Sequence, residues 1–259
     1  MLDRNAIIHH ESVSDIDDSS ALHCTTISDQ TLEVNIRAMN TIDLYEAMST
    51  LRAVRRLRND PIGDEVLHRV LTAATWAPTG GNAQPFRILL VKAPKKKQVL
   101  GQLYAERWTR FAGMYRSRLV GLPEEQLRSE ERIIASGNYL AQHFAETPCI
   151  VIFCFNPRAM AITDIKLDRV SVVGGGSVYP AVQNLLLACR KEGLGCVLTT
   201  LLCECEEEVK KLLSIPDPWG TAAAIPIGYP VGKGHGPITR QGIDQLVNLD
   251  QWDAPLRKI

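Results

Sequence analysis

Ala77-Pro78-Thr79-Gly80-Gly81-Asn82-Ala83-Gln84-Pro85-Phe86 reads as a tight polar loop that leads into a buried strand. Gly80 and Gly81 let a backbone come close to a ligand and reach dihedrals closed to other residues. Asn82 and Gln84 carry amides that both donate and accept hydrogen bonds, and Pro78 and Pro85 stiffen the two ends. One predicted helix upstream stands Arg52-Ala53-Val54-Arg55-Arg56, whose guanidiniums can make charge-assisted bonds to a phosphate. A run of arginines between helices is ordinarily a solvated face. The rigid amide-rich loop one helix later favours another expectation: the two stretches converge on one flat, polar, anionic ligand.

Bulk properties narrow the field. The 259 residues suffice for one large domain or two small ones. A hydrophobic content of 45% with 22% charged residues is ordinary for a globular protein with a sizeable core. Zero formal net charge argues against a general nucleic-acid binder. Seven cysteines, an odd number, sit mostly in apolar runs such as Pro148-Cys149-Ile150-Val151-Ile152-Phe153-Cys154 and read as free thiols of a reducing compartment. Cys203-Glu204-Cys205 is not a C-x-x-C pair and no histidine spacing completes a zinc site, so no metal is expected. No apolar run is long enough to span a membrane, and Met1–Asp18 carries charges throughout without a signal-peptide core. The expectation is a cytoplasmic protein with neither membrane nor nucleic-acid partner.

Residues 1–38 are polar and show no periodic apolar face, which predicts a flexible arm; His9-His10 within it reads as solvated tail. Residues 39–259 form the predicted domain. Ile42, Leu44, Tyr45, Met48 and Leu51 recur at helical spacing. Asp64 is a predicted cap for a helix reaching about Trp76. A strand is expected at Phe86–Val91, a long helical region from Pro94, a break at Gly121-Leu122-Pro123, and a second helix over Glu124–Glu146. Residues 104–122 read either as a cover over a site or as a surface helix with a buried stripe. Further expectations are a strand at Cys149–Phe155, a central helix over Val173–Glu192 ended by Gly193-Leu194-Gly195, and a strand at Cys196–Leu201. A short helix at Glu206–Leu213, a strand at Ala222–Gly228 and a largely extended tail from Val231 complete the pattern. Few, buried strands separated by helices imply an α+β or α/β class with one central sheet.

Other candidate groups are weaker alone. Gly174-Gly175-Gly176 precedes a helix, but position 179 is Tyr, so the dinucleotide pattern fails; close packing or a loop is the favoured reading. Thr199-Thr200 closes a predicted strand, where ligands of open sheets lie, although β-branched residues also serve strands for their own sake. Lys233 and Arg240 flank Gly234-His235-Gly236-Pro237 and can close on a phosphate; alone they are surface charges. No G-x-S-x-G, convincing Cys–His pair or carboxylate pair is evident. That suits an enzyme whose reactive group is a bound cofactor.

These blocks, in this order, resemble the nitroreductase family of flavoproteins over about Asp43–Trp252. Arg52-Ala53-Val54-Arg55-Arg56-Leu57 resembles the family's Arg-Ser-Val-Arg-Arg-Phe, and Ala77–Phe86 its Ala-Pro-Ser-x-x-Asn-x-Gln-Pro-Trp. Ala181–Ala188 with Gly193-Leu194-Gly195 resembles the central helix and its exit, Ile225–Pro230 the last core strand, and Thr239-Arg240 with Trp252 the closing segment. The resemblance implies an α/β sandwich of the α+β class, a central mainly antiparallel sheet flanked by helices, in an intertwined homodimer whose two chains build each FMN site. By position, Arg52 and Arg240 would hold the FMN phosphate with Lys233 nearby, in the segment where Ala53 and Val54 stand. Arg55 would face the pyrimidine end, where a fixed cation stabilises the anionic reduced ring. Pro78, Thr79 and Gly80 would line the ring, Asn82 and Gln84 would bond or buttress its polar edge, and Leu198, Thr199 and Thr200 would run past it, with Thr200 near N5. Ala53 departs from the family serine, which removes one hydroxyl contact to the phosphate, and Phe86 replaces the usual tryptophan.

The resemblance further implies a ping-pong reaction: NADH or NADPH reduces FMN, leaves, and a nitroaromatic, quinone or related small-molecule electron acceptor is then reduced on the same face. Alternatives are reductive dehalogenation of halogenated phenols, for which a Glu/Tyr/Lys lid trio has no evident counterpart among Glu106, Tyr115 and their neighbours, and a non-catalytic flavin-binding protein. Flavin-fragmenting enzymes of cobamide synthesis share the fold as well.

Overall fold

Apolar runs become the sheet, and the helices cover it on both faces. The computed structural model describes residues 42–256; the arm expected at 1–38, its histidine pair and Cys24 lie outside the described residues. Strands β1 (Phe86–Val91), β2 (Cys149–Phe155), β3 (Gly195–Cys196) and β4 (Gly220–Gly228) form one sheet in the order β1-β2-β4-β3. Every pairing is antiparallel.

Because side chains alternate across a strand, β2 serves two cores. Cys149, Val151 and Phe153 point into one, with helix α2 (Asp64–Thr75) and helix α5 (Tyr179–Lys191). Ile150, Ile152 and Cys154 point into the other, with α3 (Pro94–Ser117), the end of α4 (Glu124–His143) and α6 (Glu206–Leu213). β2 is buried along all but its last residue, which is why its sequence is continuously apolar rather than alternating. The architecture is an α+β sandwich. Two short helices, α1 (Leu44–Thr50) and α7 (Ile243–Leu246), lie near the ends of the described chain.

Several sequence expectations shift. Asp64 is the first residue of α2 and Gly63 its cap; the Asp64 carboxylate instead meets Lys92 at 2.8 Å. The helix expected over Val173–Glu192 divides into a 3-10 turn at Val173–Ser177 and α5, since Pro180 fits the first turn of a helix but not its interior. The strand expected at Cys196–Leu201 pairs only at Gly195–Cys196, with one further bridge from Thr199 to Ala224, before the chain turns at Leu201–Cys205. The largely extended tail from Val231 is interrupted by α7 and by a bridge between Asn248 and Pro255. Residues 104–117 belong to α3, whose stripe of Leu100, Gly101, Tyr104 and Ala112 is buried; Trp108 there donates to Asn138 of α4 at 2.7 Å. At the exit of α5, Gly193 takes a φ of 71° and Leu194 N–H reaches back to the Cys189 carbonyl at 2.8 Å, a glycine stop as expected.

Among the described residues no helix is long and apolar enough to cross a membrane.

Candidate functional site

The arginine stretch is held in place through its backbone. Val54 N–H donates to the Cys196 carbonyl at 2.9 Å, Arg58 N–H to Tyr229 at 2.8 Å, and Val231 N–H to Arg56 at 2.9 Å. Residues 54–58 therefore lie along the exits of β3 and β4. Gly195 makes this approach possible: a Cβ there would stand 2.7 Å from side-chain carbons of both Val54 and Leu57.

Segment 231–236 then folds back on the same stretch. Gly236 N–H bonds to the Thr50 carbonyl at 3.1 Å, and a Cβ on Gly236 would stand 3.7 Å from an Arg52 guanidinium nitrogen. His235 ties the two together. Its Nδ1 accepts from Arg52 N–H at 3.4 Å while its Nε2 lies 2.8 Å from the Leu194 carbonyl, which assigns the proton to Nε2 in the neutral ring. Burial pushes the His235 pKa down, the Leu194 bond opposes that, and the charges of Arg190 and Arg52 push it further down.

Lys233 lies within the segment whose backbone folds back along residues 50–56. Arg240 lies further along and donates only to its own neighbour, Thr239, at 2.7 Å. Arg52, Arg55, Lys233 and Arg240 share one property: among the described residues none has a carboxylate partner, whereas Arg58, Arg69, Arg107, Arg116, Arg169 and Arg190 all do. Arg56 instead lies over the Tyr139 ring at 4.5 Å.

Arg55 is half-buried, and burial lowers the pKa of its guanidinium. Tyr104, on the buried stripe of α3, is 2% exposed, its ring stacked on Phe144 at 4.3 Å between centroids. Burial raises the Tyr104 pKa, against the opposing pull of the Thr199 hydroxyl and the Arg55 charge. Thr199 is fixed in turn: its backbone exchanges both hydrogen bonds with Ala224, at 3.0 and 2.8 Å, and its hydroxyl accepts from Leu201 N–H at 3.4 Å. Thr200 is exposed and stands at the cap of the next turn, Leu198 and Ala53 are exposed and Val54 is buried. Arg52, Val54, Arg55, Thr199 and Lys233 are therefore assembled at one end of the sheet.

The loop after α2 is built from unusual dihedrals. Gly81, Asn82 and Gln84 all have positive φ, 58°, 53° and 46°. For Asn82 and Gln84 that conformation costs about 1–2 kcal/mol each, and such strain is characteristic of ligand-binding loops. Gly80, expected to need special dihedrals, does not have a positive φ; its N–H is held by the Ser177 hydroxyl at 3.1 Å. Gln84 N–H bonds to the Thr79 hydroxyl at 3.0 Å, and the Gln84 amide donates to the Asn82 side-chain oxygen at 3.2 Å. Pro78, Asn82 and Gln84 are exposed. Gly174-Gly175-Gly176 forms the turn that supplies Ser177, packed on Ile162, Met160 and Tyr179. It serves packing, as the failed dinucleotide pattern implies.

The two stretches do not converge within one chain. Cys196, the partner of Val54, pairs with Ile227 on β4, whereas Phe86 at the end of the loop aligns through Phe155 with Gly220. Seven residues of β4 separate these registers, roughly 23 Å. Helix α2 is the physical cause: its 12 residues carry the chain roughly 18 Å, from one end of the sheet toward the other. A groove of about 410 Å³ beside the loop, lined by His68, Leu71, Thr75, Gln84, Phe86 and Arg87, holds none of the four unpaired cations.

His235 is the residue that sequence reasoning passed over as a site member; its signal was faint, an imidazole between glycines.

The comparisons with known proteins agree with this architecture. Iodotyrosine deiodinase 1 of Rattus norvegicus is 26% identical over 219 residues, covering 81% of this chain and 70% of that protein. A protein of Thermus thermophilus named NADH dehydrogenase is 28% identical over 211 residues, covering 80% and 95%. The crystal structure of oxidised iodotyrosine deiodinase bound to FMN and 3-iodo-L-tyrosine superposes with a TM-score of 0.60 at 23% identity, over 82% of this chain and all of that one. Residues 50–229, well over half of the chain, match the family model described as the Nitroreductase family. From the arginines beside β3 to the exit of β4, then, this chain belongs to the nitroreductase family.

Proposed function

We propose that the chain is an FMN-dependent oxidoreductase that uses NADH or NADPH to reduce nitroaromatic, quinone or related conjugated acceptors by a ping-pong reaction. The observation that carries this reading is Arg55, a half-buried cation without a carboxylate partner among the described residues. A buried charge is costly unless something of opposite charge compensates it. Arg52 and Lys233 add unpaired positive charge on the adjoining segment, so the donor set fits a phosphate joined to a ring with carbonyl oxygens along one edge. FMN supplies hydride acceptance and donation when bound.

The chain's own residues have the following parts. Arg52, Lys233 and Arg240 bind the phosphate, and Ala53 and Val54 pass beside it. Arg55 stabilises negative charge at the pyrimidine edge through a preorganised cation. Leu198, Thr199 and Thr200 would flank the ring, with Thr200, an exposed residue, near N5. Pro78, Thr79, Gly80, Asn82 and Gln84 lie at the other end of the same chain's sheet. The proposal therefore includes a homodimer in which the loop of one protomer closes the site begun by the arginines of its partner, within the domain spanning 39–259. The exposed apolar side chains Leu44, Tyr45, Ile243, Leu246 and Trp252 are the kind of surface such a dimer covers.

Reductive dehalogenation is the second reading, motivated by the deiodinase relatives. It is weakened by the partners of the lid candidates: Tyr115 donates to Glu130 at 2.6 Å and Glu106 pairs with Arg107 at 3.0 Å. The test is steady-state oxidation of NADH and NADPH by FMN-loaded protein with a nitroaromatic, a quinone and an iodophenol as acceptors. Turnover with the first two supports the proposal. Flavin that neither nicotinamide reduces overturns it in favour of a non-catalytic binder, and turnover confined to the iodophenol favours the second reading.

A further inference from the structure

The segment Val231-Gly232-Lys233-Gly234-His235-Gly236 runs back along the arginine stretch in the opposite direction. Val231 N–H meets the Arg56 carbonyl at 2.9 Å, and Gly236 N–H meets the Thr50 carbonyl at 3.1 Å. Between these ties Gly234 takes a φ of 63°, and a Cβ on it would stand 2.5 Å from Pro230 and 3.7 Å from Val54. A glycine is what lets the chain turn this tightly against its neighbours. Lys233 lies within the tied span and is exposed, as is Arg52. Neither has a carboxylate partner among the described residues. Like charges on adjoining segments repel, so a group that holds the two segments together serves best when it is itself uncharged.

His235 meets that need. Its Nδ1 accepts from Arg52 N–H at 3.4 Å, and its Nε2 donates to the Leu194 carbonyl at 2.8 Å. Both ring nitrogens are used, one as acceptor and one as donor, which is the pattern of a neutral imidazole. Burial favours the same form. Leu194 directly precedes β3, and the Cys196 carbonyl of β3 holds Val54 N–H at 2.9 Å. The arginine stretch and the Lys233 segment are thereby referred to one strand. We propose that His235 is a positioning residue for the phosphate: its imidazole ties Arg52 and the Lys233 segment to the start of β3, so that two unpaired cations from opposite ends of the domain serve one anion. This rests on the FMN reading given above and deepens it, since the part of the ligand that depends on His235 is the phosphate and not the ring.

The test compares FMN with riboflavin, which has the same ring and no phosphate. Flavin fluorescence during titration of the flavin-free full chain gives both affinities, and their ratio reports the phosphate contribution. His235→Ala lowers that ratio by about tenfold, the worth of lost hydrogen bonds to a charged site, and leaves riboflavin affinity within about twofold. Two conservative variants separate the ring nitrogens. Asparagine places an oxygen where Nδ1 stands and can still accept from Arg52 N–H, whereas glutamine reaches the Nε2 position and keeps only Leu194. His235→Asn therefore retains most of the ratio and His235→Gln loses it, a difference that general loosening of the fold does not produce. In an Arg52→Ala background, His235→Ala lowers the ratio by less than it does alone. An unchanged ratio in His235→Ala overturns the proposal, as does an equal fall in the Arg52→Ala background or the reverse order of the asparagine and glutamine variants. Should His235→Ala fail to fold, the asparagine and glutamine pair decides. A wild-type chain that binds neither flavin removes the FMN reading itself, a different failure from that of a wild-type chain that prefers FMN and ignores the loss of the imidazole.

Discussion

The Val54 N–H donates to the Cys196 carbonyl at 2.9 Å, and that bond sets the end of the sheet at which Arg52 and Arg55 stand. The loop Pro78–Gln84, which complements them in character, leads into β1 at the opposite end. A site made of both needs two chains. This yields a complementation experiment. An Arg52→Ala/Arg55→Ala chain and a Gly80→Asp chain should each fail to retain FMN. The second substitution fits sterically, since a Cβ at Gly80 meets the Ser177 hydroxyl at an ordinary 3.7 Å, yet it sets an anion against the ligand. Refolded together, random pairing in a two-fold dimer should restore about a quarter of the sites. No restoration would mean that the two stretches do not share a site.

Arg55→Ala should keep part of the FMN affinity, because Arg52 and Lys233 remain, but slow flavin reduction by NAD(P)H by a factor on the order of 10². Arg55→Lys should fall between the two, since an ammonium keeps the charge without the planar fork. Stopped-flow absorbance of the reductive half-reaction measures this; unchanged rates in Arg55→Ala would remove the role assigned to it.

The loop dihedrals predict stability effects. Gly81→Ala should destabilise the fold by about 1–2 kcal/mol, although a Cβ there would meet nothing within 4 Å, because the φ of 58° is strained for any L side chain. Gly63→Ala, equally unobstructed but at a φ of −59°, should cost little. Thermal denaturation of the two variants separates dihedral strain from crowding; equal behaviour would contradict the loop geometry.

His235 gives the site a pH dependence. Its pKa in the folded chain lies below the ordinary 6.5, with burial the leading cause and Arg190 and Arg52 adding to it against the Leu194 bond. The unfolded chain thus binds more protons as pH drops below about 6.5, and the stability contributed by neutral His235 is present above that pH and lost below it. Protonation also places a hydrogen on Nδ1, where Arg52 N–H now donates. Melting temperatures taken from about pH 8 down to about pH 5 should fall less steeply for His235→Gln than for the wild type; parallel curves would contradict the assignment.

What the sequence made legible follows from how local each signal is. Phe86–Val91, Cys149–Phe155 and Glu206–Leu213 could be read to the residue, because an apolar run between turn residues and an amphipathic stretch after a turn are determined within a few positions. Cys196–Leu201 looked equally apolar, but the partner strand and the turn begun at Thr200, which the run itself does not encode, decide how much of it pairs. Spacing along the chain placed the arginines near the Asn82–Gln84 loop, whereas α2 carries them apart; a helix length is a distance as well as a separator. Val54 and Cys196 meet across about 140 positions of sequence, beyond any local pattern. The unpaired state of Arg52 and Arg55 was likewise visible only once the carboxylates had been placed.

The most direct measurement is FMN uptake by the purified chain, followed by flavin absorbance during titration and compared with the Arg52→Ala/Arg55→Ala chain. The account predicts a yellow protein that binds FMN in proportion to its chains and a double variant that largely loses it. A wild-type chain that stays colourless in excess FMN, or a double variant that binds FMN as tightly as the wild type, would contradict it.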